Sequence, residues 1–219
     1  MSRLAVPVKT LCVFLILAFV SPALGAEEDA LQAAAILESL GRPVGLAHLP
    51  RCGDGELAFA LLAADDRLRV HGQDTDYAKV QAARRMADDR GDSGRRAWFD
   101  HGGISRLLPV GNSCDLIVMT DLAQGDLTPA LAGEVARVLH PWYGVALLAS
   151  HAPREDMERW AQSFHGLGLR SQIVGAGESQ EGDDALAAAF PGVLLRVKKP
   201  ALPGADNWSH FWHGPGNNP

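Results

Sequence analysis

Cysteine is scarce in this chain, with three residues in 219, and the first of them, Cys12, falls in an apolar run near the start. The other two, Cys52 and Cys114, are too few for a disulfide scaffold and form no Cys-x-x-Cys pair. An HExxH motif is missing as well. His48, His71, His101, His140, His151 and His165 are scattered over different segments, and only His210 and His213 stand close together, so no zinc site is expected. Basic charge is also short: 20 Lys and Arg face 26 Asp and Glu, for a formal net charge of −6. That balance argues against nonspecific binding to nucleic acid or to anionic lipid. No apolar run reaches the roughly 20 residues that span a bilayer.

The start of the chain has a different use. Arg3 and Lys9 are the only charges before the apolar stretch Leu11 to Val20, and Ser21, Pro22 and the small residues Ala23-Leu24-Gly25-Ala26 follow. A basic beginning, a short apolar stretch and an Ala-x-Gly site describe a secretory signal cut after Gly25. Residues 1–25 are therefore expected to be removed, which makes the mature chain more acidic still. They point to a periplasmic or secreted protein with no stable membrane insertion after cleavage; a retained anchor is the competing reading.

Past the leader, segments with helical and strand-like spacing alternate. Leu31 to Leu40 reads as an amphipathic helix that Gly41 stops. Gly45 to Leu49 is a short buried strand, Glu56 to Ala64 a helix, and Leu68 to Gly72 a strand. Asp76 can cap a helix that places Tyr77, Val80, Ala83 and Ala87 on one face. Arg95 to Asp100 is a further strand. Leu116 to Met119 and Val145 to Leu148 are uninterrupted apolar runs of the kind a parallel sheet buries on both faces. Thr128-Pro129 opens a helix striped by Leu131, Val135 and Val138, with Leu127 ahead of it. Pro153 opens another, in which Met157, Trp160 and Phe164 face inward. Ser171 to Val174 and Val193 to Val197 complete the strands, with a Gly/Asp-rich turn and the apolar segment Leu186 to Phe190 between them. Such alternation, with short connections, predicts an α/β domain over residues 26–199: a mostly parallel central sheet with helices on both faces. In that arrangement Cys52 and Cys114 lie near opposite ends of neighbouring strands, too far apart to bond.

One loop stands where an open α/β sheet takes its ligands. Arg51-Cys52-Gly53-Asp54-Gly55 joins the first strand to its helix, and Asp74 closes the second strand, where a carboxylate can accept from both hydroxyls of a ribose. Glycines there permit a tight turn near the positive end of the following helix. A thiol beside that helix end could be activated, but no base is placed for Cys52, and a packed thiol explains it.

On these residues the chain resembles the class I methyltransferases that use S-adenosylmethionine. The shared pieces are Cys52 to Leu57, Val70 to Asp76 with Val80 and Ala82-Ala83-Arg84, Leu108-Pro109 ahead of Cys114 to Val118, and Glu134 to Pro141 running into Gly144-Val145. Together they cover about residues 45 to 198. The resemblance implies a Rossmann-like sandwich in which Gly53 and Gly55 are the glycines of the cofactor loop and Asp74 is the ribose ligand. It places Asp100 near the adenine and Asp121 on the substrate side, and it implies no catalytic residue. The departures are specific. Arg51, preceded by Pro50, stands where the family has a further glycine. The acidic residue that ends the first strand in the family is replaced by Leu49 or, with one insertion, by His48. His140-Pro141-Trp142-Tyr143-Gly144 replaces a tight proline-glycine turn.

From Pro200 the character changes. Residues 200–219 are rich in Pro, Gly and Asn yet carry Trp208, Phe211 and Trp212 together with His210 and His213. Large apolar side chains in a polar segment need a surface to pack on, which is either this domain or one that follows. Asp206 to His210 and Gly214 to Pro219 resemble the lead-in to a β-propeller of the pyrroloquinoline-quinone dehydrogenase-like kind. Asn207-Trp208-Ser209 fits a glycosylation pattern. Two functions follow from the two resemblances. One is a noncatalytic methyltransferase-like accessory or interaction domain of an exported protein, joined to such a propeller. The other is an active S-adenosylmethionine-dependent methyltransferase of unknown acceptor, although that cofactor is a cytoplasmic compound and a leader would carry the domain away from it.

Overall fold

A computed structural model describes residues 9–42, 44–175 and 182–201, with side chains from residue 25 onward. Residues 176–181, where a turn is expected, and the segment 202–219, with its aromatic residues and His210 and His213, lie outside the described residues. The chain runs α1 (Lys9–Leu40), β1 (Leu46–Pro50), α2 (Glu56–Ala64), β2 (Arg69–Asp74), α3 (Tyr77–Arg90), β3 (Ala97–His101), β4 (Leu116–Leu122), α4 (Pro129–Val138), β5 (Val145–Ser150), α5 (Arg154–Gly166), β6 (Arg170–Ile173), α6 (Asp183–Ala188) and β7 (Val193–Lys198). The helix expected over 31–40 is the end of the longer α1, which passes Gly25 without a break.

The strands form one seven-stranded sheet in the order β3-β2-β1-β4-β5-β7-β6. The pairings from β3 to β5 are parallel, and β7 is antiparallel to both of its neighbours. β5 is buried along its whole length, as its unbroken apolar sequence requires in a sheet covered on both faces. Alternate residues point to opposite faces. Ala47, Leu49, Val70, Phe99, Leu116 and Val118 join a core with α1, α2, α3 and α6. Ile117, Met119, Ala146, Leu148 and Leu195 join another with α4 and α5. The expected caps form: the Asp76 carboxylate accepts from the Ala78 and Lys79 amides, and Thr128 Oγ1 accepts from the Leu131 amide. One face assignment needs correction. Val80, Ala83 and Ala87 are buried as expected, but Tyr77 is 59% exposed. It opens the first turn of α3 beyond the edge of the core, where its ring meets His101 edge-on.

The connection from β3 to β4, residues 102–115, contains turns and no helix. The sheet face it crosses carries polar side chains in place of an apolar strip. Gln73 is fully buried and substitutes for helix packing by fixing the loop: its amide donates to the Gly103 and Arg106 carbonyls and accepts from the Leu108 N–H. Beside it His48 Nδ1 lies 2.9 Å from the His71 carbonyl and 3.0 Å from His71 Nδ1, while His71 Nε2 lies 3.1 Å from the Asp100 carboxylate. A proton on His71 Nε2 donated to Asp100 leaves His71 Nδ1 an acceptor, so His48 carries its proton on Nδ1. His48 Nε2 is buried and finds no partner among the described residues.

Burial, with the His71 ring adding to it, pushes the His48 pKa from 6.5 down to about 3. The unfolded chain therefore takes up a proton on this imidazole below pH 6.5 while the folded chain does not, and stability falls as the pH drops through that window. A group of this kind costs about 2 kcal/mol between pH 6.5 and 4.5. Denaturant titrations of His48→Leu and the unaltered chain at several pH values are expected to show a shallower acid limb in the variant; parallel limbs would remove His48 as the cause.

Candidate nucleotide cleft

The carboxyl ends of β1 and β4 face each other across a cavity of about 400 Å³, bounded on its other sides by α1, the start of α2 and the end of β2. The bend between β1 and α2 shapes it. Arg51, Gly53 and Gly55 adopt φ values of 58, 58 and 94°. All three are left-handed, a region that favours glycine. The backbone thus keeps the shape of a glycine loop although its first position carries a side chain.

Asp74 holds this bend in place. Its Oδ2 accepts from the Gly53 N–H at 3.0 Å and its Oδ1 from the Asp76 N–H at 2.8 Å. The Cys52 N–H donates to the Gln73 carbonyl, and the Gly55 N–H closes back on the Cys52 carbonyl. Gly72 lets the thiol pack inward, since a Cβ there would come within 2.8 Å of Cys52 Sγ and 2.5 Å of Phe99. Burial, reinforced by the Asp74 charge, pushes the Cys52 thiol up to about 12. It is a packed, protonated thiol. Cys114 is free as well.

The Arg51 side chain lines the cavity and reaches toward the end of β4. Its guanidinium forms an ion pair with Asp126 at 2.8 Å and donates to the Asp121 carbonyl at 3.2 Å, with the Asp121 carboxylate 4.0 Å away. Asp126 belongs to a short 3-10 turn after β4, and the same carboxylate accepts from the Ala123 N–H. A bar of side chain therefore links the end of β1 to the end of β4. On the α1 and α2 side the cavity is acidic. Burial first, then Glu28 and Asp54, raises the Asp29 carboxyl, and the Asp54 charge, followed by burial, raises that of Glu56.

Of the residues singled out in the sequence, Gly53, Asp74 and Asp121 line this cavity, and Gly55 caps the helix beside it. Asp100 does not line it. Its carboxylate meets His71 on the sheet face crossed by residues 102–115 and pairs with Arg84 at 2.9 Å, while Arg84 Nε also donates to the Phe99 carbonyl. Side-chain alternation explains the difference, because Asp100 pairs in register with Gln73 and shares its face. Asp29, Gln32 and Lys79 are additions to the lining, and Asp126 joins through its ion pair with Arg51. No short-range pattern marks them; Asp126 could have been noticed only as an acid placed just past the fourth strand.

No protein-family model matches the chain, and no curated protein matches it. Solved structures do. A candidate S-adenosyl-L-methionine-dependent methyltransferase from Methanococcus maripaludis superposes with a TM-score of 0.64 at 16% identity, covering 94% of this chain and 100% of that one. A geranyl diphosphate methyltransferase in complex with S-adenosylmethionine gives 0.55 at 12% identity, over 78% of this chain and 85% of its own. The cyclase SpnF gives 0.56 at 18%, over 80% and 82%. The fold is that of a class I methyltransferase. At these identities the likeness carries the architecture and nothing finer.

In this methyltransferase-like domain, Asp74 has a structural duty that is separable from any ligand. Hydrogen bonds to a charged acceptor are each worth about 1.5–3 kcal/mol. Asp74→Ala is expected to cost about 2–4 kcal/mol in chemical denaturation; a variant as stable as the parent would show that the two amides find other partners.

Proposed function

We propose that this chain is a noncatalytic methyltransferase-like accessory domain of an exported protein. The observation that carries the reading is the Arg51 guanidinium bound between Asp126 and the Asp121 carbonyl in the wall of the cleft. S-adenosylmethionine is implied by the fold, and the residues present do not fit it well. Each oxygen of Asp74 accepts a backbone N–H, so a ribose would have to share this carboxylate with the loop, and only 8% of the residue's surface is exposed. A cationic side chain lines the cavity that a cationic sulfonium cofactor would enter. The first strand ends in Leu49 and Pro50, which offer no carboxylate to that cofactor's ammonium group. No chemical step is therefore derived through it.

The ion pair itself is partly exposed, with side chains 32% and 19% accessible, and worth about 1 kcal/mol. The obstruction is the bulk and charge of Arg51, and one substitution tests it. Arg51→Gly suits the φ of 58° and removes the bar. Calorimetry with S-adenosylmethionine and S-adenosylhomocysteine is expected to show no micromolar binding to the parent chain and measurable binding to the variant. Micromolar binding to the parent would overturn the closed cleft, and a silent variant would show that Arg51 is not what closes it.

A second reading, an active methyltransferase of unknown acceptor, is favoured by the glycine-like backbone of the loop and the 400 Å³ beside it. It requires Arg51 to swing aside and labelled methyl groups to reach an acceptor in a cell extract. In the accessory reading, residues 200–219 lead to a quinoprotein-like propeller. Translation of the gene beyond codon 219 is expected to give repeated tryptophan-rich blades; a stop codon there removes that part of the reading.

A further inference from the structure

One face of the sheet carries a line of polar side chains that runs from the surface into the buried interior. Arg84 on α3 pairs with the Asp100 carboxylate at 2.9 Å, and that carboxylate meets His71 Nε2 at 3.1 Å. His71 Nδ1 meets His48 Nδ1 at 3.0 Å, with the ring centroids 5.0 Å apart. Exposure falls along the line: the Asp100 side chain is 50% accessible, that of His71 17%, and His48 is fully buried. His48 pairs in register with His71, so Gln73, two residues further along β2, is its diagonal neighbour on the same face. Gln73 in turn holds the loop 102–115 through the Gly103 and Arg106 carbonyls and the Leu108 N–H. The line thus joins an accessible carboxylate to a loop.

The protons on this line are set from its surface end. With Asp100 accepting from His71 Nε2–H, His71 Nδ1 accepts from His48 Nδ1–H, which also reaches the His71 carbonyl at 2.9 Å. A second proton on His71 reverses the arrangement. Two N–H groups would face each other across 3.0 Å, and the contact survives only if His48 gives up its Nδ1 proton and carries one on Nε2 instead. That nitrogen is buried and has no hydrogen-bond partner among the described residues. Burial and a charge on His71 oppose a second proton on His48, while the His71 carbonyl and the Gln73 side chain favour one. The charged groups of the elements packed on this face are otherwise engaged. Arg84 holds Asp100, Glu134 and Arg137 on α4 pair at 2.7 Å with Arg106 acting on Glu134, and Asp115 accepts from the Gly45 and Leu46 amides. β4 sets the apolar Ile117 beside His48.

We propose that Asp100, His71, His48 and Gln73 form a tautomer relay, in which a proton bound at His71 moves the His48 proton from Nδ1 to Nε2 and alters the anchoring of the loop 102–115. The balance is one proton gained from solvent. His48 passes its Nδ1 proton to His71 Nδ1 and takes one on Nε2, so His71 ends as the imidazolium and His48 stays neutral. The new Nε2–H is donated to Gln73 Oε1, which then divides its lone pairs between His48 and the Leu108 N–H. Asp100 is a positioning residue: its carboxylate keeps the resting His71 proton on Nε2 and steadies the imidazolium. The relay is independent of whether the cleft beside Arg51 takes a ligand.

The test follows the imidazole nitrogen and backbone amide signals of the full chain by NMR during acidification. As His71 charges, His48 Nε2 is expected to change from an unprotonated to a protonated nitrogen and His48 Nδ1 to do the reverse. The Leu108 amide is expected to move at the same midpoint, with the Leu167 amide beyond α5 unmoved. In His48→Leu, His71 is expected to charge while the Leu108 amide no longer follows it. A His48 that keeps its Nδ1 proton, or becomes charged itself, while His71 titrates overturns the proposal. So does a Leu108 amide that stays in place as the His48 nitrogens switch, or one that follows His71 equally well in His48→Leu. A chain that unfolds before His71 charges overturns it too, since the relay then has no folded state to act in. Should His48→Leu fail to fold, the His48 nitrogens and the Leu108 amide of the unaltered chain still decide.

Discussion

The Asp74 carboxylate ties the first strand-to-helix bend to the second strand, and the adjoining cleft takes its shape from that tie. With Gly53 and Asp76 both bound to it, the bend cannot relax toward an ordinary right-handed turn. Next to this tie Arg51 has a left-handed φ, and its guanidinium pairs with Asp126 after β4. Asp74 acts as an internal brace of this bend, and Arg51 links it to the turn that follows β4. The two contacts act on one loop.

The same economy appears on the face crossed by residues 102–115. A helix there would demand an apolar strip beneath it. In its place, Gln73 fixes a loop through three hydrogen bonds, and two imidazoles occupy the space alongside. The polar strip and the lack of a helix are two sides of one packing solution, since a loop supplies the carbonyl and N–H groups that buried polar side chains require.

Much of the layout is legible in the sequence for physical reasons. Uninterrupted runs such as Leu116 to Met119 have one reading in a sheet covered on both faces, and Asp76 and Thr128-Pro129 mark helix starts by chemistry that acts over three residues. The cleft is legible only in part. Gly53 and Asp74 follow from local spacing, but the partner of Arg51 is 75 residues away, beyond another strand, and no local pattern reports it. Asp100 shows the opposite difficulty. Its place at the end of β3 is readable, while the face it takes depends on register, which one residue of slip reverses.

Arg84 has a consequence of another sort. β3 is an outer strand of the sheet, and such a margin offers unpaired main-chain groups to any extended peptide that comes near. The Arg84 guanidinium takes the Phe99 carbonyl and lies against Asp100 along that margin. An incoming peptide would find the hydrogen-bonding template already plugged by a hydrated cation. Growth of the sheet by strand addition is discouraged at this end.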